Sequence, residues 1–79
     1  MTEEEALRQY ASQVIATLRA AKERCQNLGR IDNAKALAFD ITTIERALAR
    51  QPFDPLGQMR SWLVALETVA NGFLRMTKQ

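Results

Sequence analysis

The sequence predicts an all-α protein: a three-helix antiparallel bundle, built from a long helical hairpin plus a third helix and completed by homodimerisation. Three observations predict it. Apolar residues recur at alternating intervals of four and three along the first two thirds of the chain. Gly29, Pro52 and Pro55 divide the chain into three helical lengths, and the last length has an apolar face too wide for one neighbour. All 79 residues read as one unit, with helices over about 3–28, 32–51 and 55–76, because no repeat, low-complexity tract or linker interrupts the pattern.

The first helix begins at Thr2. With Glu5 three positions on, Thr2 makes a capping box, and Glu3, Glu4 and Glu5 put negative charge in the first turn, where the helix dipole favours it. Leu7, Ala11, Val14, Leu18, Ala21, Cys25 and Leu28 then follow an unbroken 4,3,4,3 spacing that matches a coiled-coil seam. Tyr10 and Ile15 widen this stripe on its two sides. Gly29 can adopt the left-handed conformation that stops a helix.

Asp32 is the expected N-cap of the second helix, and the short connection predicts a tight antiparallel hairpin. Its seam is Ala34, Leu37, Ile41, Ile44 and Leu48, spaced 3,4,3,4. Alanines on both stripes allow the two backbones a close approach at a shallow crossing angle.

The stretch RQPFDPLG, from Arg50 to Gly57, is read as punctuation. Pro52 ends the second helix near Arg50 or Gln51, Asp54 and Pro55 serve as N-cap and first residue of the third, and Phe53 and Leu56 cover the end of the core.

At about 100° per residue, Leu56, Met59, Trp62, Leu63, Leu66, Val69, Ala70, Phe73, Leu74 and Met76 fill an arc of about 160° on the third helix. Such an arc needs two neighbours, either both arms of the hairpin or one arm and a second protomer. A homodimer interface of Met59, Trp62, Leu66, Val69, Phe73 and Met76 is the expectation. Gly57, Ser61, Thr68 and Gly72 form a small-residue stripe beside the arc, either a close-approach surface or a polar margin. Gly72 costs about 1 kcal/mol against alanine in a helix interior.

Composition bounds the function. A chain of this length buries only roughly 60–65% of its unfolded surface. Twelve alanines and only five aromatics leave a thin core, a shortage that oligomerisation often relieves. The formal charge of +2 hides an asymmetry: after Glu3, Glu4 and Glu5, eleven positive residues face six negative ones. The opening MTEEEALRQY is acidic, without the apolar region of a secretory signal. No apolar run approaches the ~20 residues that span a bilayer, so a cytoplasmic protein with no membrane association is expected.

No chemistry stands out among the residues. Histidine is absent, which removes the commonest metal ligand and general base. Cys25 is the only cysteine and lies on a seam, where the expectation is a small buried hydrophobe. Asp40, Glu45 and Glu67 are isolated carboxylates beside the seams, expected to be solvated or ion-paired. No phosphate loop, GxSxG or HExxH motif occurs. We therefore expect a protein that is not an enzyme and uses no cofactor and no metal.

The informative misfit is Phe39. It projects about 180° from the seam of the second helix, by the helical period, among Lys35, Thr42, Thr43, Arg46 and Arg50. Either the second helix is the middle layer and Phe39 meets the third helix or a dimer mate, or Phe39 is an exposed anchor with an arginine rim, a composition enriched at protein interfaces. The expected partner-binding residues are accordingly Phe39, Lys35, Arg46 and Arg50, in a regulatory, inhibitory or chaperone-like subunit that masks a surface of another protein. The alternative is a small nucleic-acid-binding regulator using the same basic face, with Arg30 at the hairpin turn as a further phosphate contact.

Overall fold

Thr2 opens the first helix with both halves of the capping box: its hydroxyl accepts from the Glu5 amide at 3.1 Å, and its own amide donates to Glu5 Oε1 at 3.1 Å. The computed structural model describes residues 2–50 and 55–76, which form α1 (Glu3–Asn27), α2 (Ile31–Ala49) and α3 (Leu56–Met76).

Gly29 ends α1 as expected. Its φ of +75° lies in the left-handed region. Around it the Arg30 amide donates to the Cys25 carbonyl at 2.8 Å and the Gly29 amide to that of Gln26 at 3.1 Å, the paired bonds of a Schellman motif. The start of α2 corrects the expectation. Arg30, not Asp32, occupies the N-cap and makes no side-chain capping bond, while Asp32 falls in the first turn. The Schellman turn uses only two residues beyond Leu28, so helical geometry resumes before Asp32 can cap it. Its charge still faces the positive end of the helix dipole.

Gln51, Pro52, Phe53 and Asp54, and with them the stop, core-covering and capping roles expected there, lie outside the described residues. On either side of them, α2 ends at Ala49 with an extended Arg50. Pro55 precedes α3, and its carbonyl accepts the Met59 amide at 3.0 Å.

The three helices form a bundle of 39 × 19 × 17 Å. α1 is its centre, packing along both α2 and α3, while α2 and α3 scarcely approach each other. The order of the links gives the directions. Arg8 of α1 meets the last turn of α2, so these two helices are antiparallel. Glu3 with Arg60 and Tyr10 with Glu67 both join residues 57 positions apart, so α1 and α3 run parallel.

The expected seams line the core. Leu7, Ala11, Val14, Leu18, Ala21 and Cys25 are buried on α1, and Ala34, Leu37, Ile41, Ile44 and Ala47 on α2. Two seam ends differ. Leu28, the C-cap of α1 beside the turn at Gly29, is half in solvent. On α2, Ala47 takes the fully buried place and Leu48 packs partly buried beside it. On α3 only Leu63 and Ala70 are fully buried among the described residues. Leu56, Met59, Trp62, Leu66, Phe73 and Leu74 are half-buried against the same core.

The buried stripe of α1 includes the small residues Ala11, Ala21 and Cys25, which favour close approach of a neighbouring backbone.

Candidate functional site

The outer face of α2 is built by its helical repeat. Lys35, Phe39, Thr42, Arg46 and Arg50 recur every three or four residues on the side away from α1, and all five are exposed. Phe39 is 69% exposed, more than any other large apolar residue described. The reading of α2 as a middle layer is overturned, since α1 holds that place, and Phe39 takes no part in the chain's own core. No described residue of the chain covers this ring.

Its surroundings are mostly cationic, with Asp32 on the same side by the helical period. Lys35, Arg46 and Arg50 make no ion pair within the described residues, whereas Arg19 at 2.9 Å holds Glu45 on the α1 side of α2. Thr42 Oγ1 donates to the Ala38 carbonyl at 3.1 Å and Thr43 Oγ1 to that of Phe39 at 2.9 Å. Both hydroxyls are thus spent on their own helix. The face presents an aromatic ring, two ammonium or guanidinium groups along the helix and a third at its C-terminal end.

Arg50 is positioned by a residue that the sequence did not single out. Arg8 donates from Nη1 to the Leu48 carbonyl and from Nη2 to the Arg50 carbonyl, each at 2.7 Å, and from Nε to Glu4 at 3.1 Å. One guanidinium thereby caps the end of α2, where carbonyls lack intrahelical partners. The Glu4 to Arg8 spacing was visible as an i, i+4 pair. The two carbonyls are 40 and 42 positions away, and nothing local signals them.

The other candidate residues are placed as follows. Met59, Trp62, Leu66 and Phe73 lie half-buried against the chain's own core, Val69 is 47% exposed, and Met76 is the last residue of α3. A Cβ added to Gly57 or Gly72 would meet nothing within 4 Å, so no helix of this chain uses them for close approach. Cys25 is fully buried. Glu67 accepts from the Tyr10 hydroxyl at 2.7 Å; desolvation, then this bond, pushes the Tyr10 phenol above its usual range. Asp40 is half-buried, and burial raises its carboxyl above the ordinary aspartate range. Glu5 is held below its usual range by the Thr2 amide and then the Thr2 hydroxyl.

Concave surface is shallow. Two clefts of about 370 Å³ flank the Arg19–Glu45 pair between α1 and α2, one floored by Ile15, Ala16 and Leu48, the other by Ala38 and Ile41. No group of three or more Cys, Asp or Glu side chains among the described residues could hold a metal ion. No helix is long and apolar enough to cross a membrane, again among the described residues. No protein-family model matches the chain, and neither a curated protein nor a solved structure does.

Proposed function

We propose that this protein is a small non-enzymatic interaction module, a regulatory or chaperone-like subunit of the cytoplasm that masks a surface of another protein with the outer face of α2. The exposure of Phe39 carries the reading. A ring left 69% in water forgoes most of the roughly 1.5–3 kcal/mol that burial of such a side chain supplies. With Lys35, Arg46 and Arg50 around it, the face has the aromatic and arginine composition enriched in the energetic centres of interfaces.

Capture of the tagged protein's partners from its native lysate, with and without nuclease, tests this. Phe39→Ala should reduce one stoichiometric, nuclease-resistant partner about tenfold, with a melting temperature within a few degrees of the parent because the ring is outside the core. Unfolding of Phe39→Ala would put the ring back in the core. If nuclease releases everything, Lys35, Arg46, Arg50 and Arg30 serve phosphates instead.

The homodimer belongs to the same proposal. Val69 is exposed beside the half-buried Trp62 and Phe73, which offers a second copy an apolar strip on α3. A monomer mass in sedimentation equilibrium at micromolar concentration would remove it.

A further inference from the structure

We infer that the segment received by the outer face of α2 is an acidic amphipathic helix, with carboxylates against Lys35 and Arg46 and an apolar residue over Phe39. The inference rests on the docking role proposed above and names its partner by chemistry. Charge is the first argument. Lys35 and Arg46 are exposed and make no ion pair among the described residues, so each is left for an anion from outside.

The pattern selects a protein over a polyanion. Asp32, seven residues before Phe39, is exposed on the same side of α2 by the period of about 100° per residue, so the face sets a carboxylate among its cations. A phosphate backbone, charged along its whole length, would run past that carboxylate. Discrete carboxylates at two positions would not.

Backbone chemistry selects a helix over a strand. The face is the convex side of a helix whose main chain is bonded within itself, and its threonine hydroxyls are already donated to Ala38 and Phe39. An added strand would find few partners there for its own amides and carbonyls. A helix satisfies its own.

Spacing sets the sequence signature. Lys35 and Arg46 stand eleven residues apart, about 16 Å along the axis, with Phe39 about 6 Å from the first and about 10 Å from the second. A helix lying alongside therefore carries acidic residues eleven apart, with an apolar residue four from one and seven from the other, in either chain direction.

The test uses the full chain and synthetic helical peptides of ~18 residues, ~27 Å long, with leucine at the anchor position and glutamate at both flanking positions, in both directions. Matched peptides carry lysine at those two positions, and binding is read by nuclear magnetic resonance titration. The parent should prefer the glutamate form by about tenfold or more, weakening with salt. Lys35→Glu with Arg46→Glu should invert the preference, and Phe39→Ala should weaken either complex about tenfold. Equal binding of both forms, binding of neither, or tighter binding of a short DNA duplex would overturn the acidic helix. If the peptides fail while the captured partner still depends on Phe39, only the partner class is wrong. If capture does not depend on Phe39, the docking role itself falls.

Discussion

α3 is the more apolar helix, yet α1 buries its apolar residues more completely. Every seam residue of α1 from Leu7 to Cys25 is at most 2% exposed, whereas among the described residues α3 buries only Leu63 and Ala70 to that degree and leaves Trp62, Leu66 and Phe73 half-buried. Position accounts for it: α1 is packed on two sides, by α2 and by α3, whereas α3 is packed along α1 alone and keeps a wet edge. A wide apolar arc is therefore no guarantee of a central helix. α3 is instead secured at its margins, by Tyr10 to Glu67 at 2.7 Å and Arg60 to Glu3 at 3.5 Å.

The comparison can be broken most directly in the core. Leu18→Ala should destabilise by about 3 kcal/mol, the cost of a cavity at a site that two helices enclose. That is a large share of the about 4–12 kcal/mol expected for a domain of this size. Val64→Ala on α3, 46% exposed and outside the proposed dimer strip, should stay within about 0.5 kcal/mol. Urea denaturation of both variants checks the pair; similar losses would mean that α3 is packed as fully as α1.

Next in size is Arg8→Ala. It frees the Leu48 and Arg50 carbonyls and the Glu4 pair together, and should cost about 1–2 kcal/mol. Arg8→Lys should recover little of this, because an ammonium cannot span two carbonyls as a planar fork does. Amide exchange of the last turn of α2 should quicken in both variants.

Gly72→Ala should act in the opposite direction. The added methyl meets nothing within 4 Å, so helix propensity alone should stabilise the chain by about 1 kcal/mol, or about 4–8 °C in melting temperature. Loss of stability, or of a dimer, would show that something outside the chain packs against Gly72.

The smallest effect is at Asp40, and its sign depends on pH. Burial raises its folded carboxyl above the ordinary value, so the native state holds that proton more tightly than the unfolded state. Stability from this group is then lost as pH rises through the acidic window up to the raised value. Asp40→Asn should melt above the parent at neutral pH and draw level with it below the ordinary aspartate range. Glu5 runs the other way. Its depressed carboxyl supports the native state above its usual range, and that support fades as pH falls through the lowered value.

The helices were legible because their signals are local. The capping box at Thr2, the left-handed Gly29 and the seam spacings each involve residues within a few turns, and the observed helices start and end within two residues of the expected bounds. Asp32 was misplaced by a local competitor, the Schellman turn at Gly29. The direction of Phe39 away from the α2 seam could be read from the period. Its exposure could not, since that depends on which helix stands in the middle. Arg8 was illegible as a cap because its two acceptors lie on another helix.

By itself, the sequence determined three helices, their ends and which stripe of α1 and α2 turns inward, since propensity, capping and periodicity act over one or two turns of chain. Tertiary structure decided that α1 is the centre, that α3 lies parallel to it and that Phe39 stays in water. Those outcomes depend on how side chains of different size fill the space between helices, and no single stretch of chain contains both sides of that space.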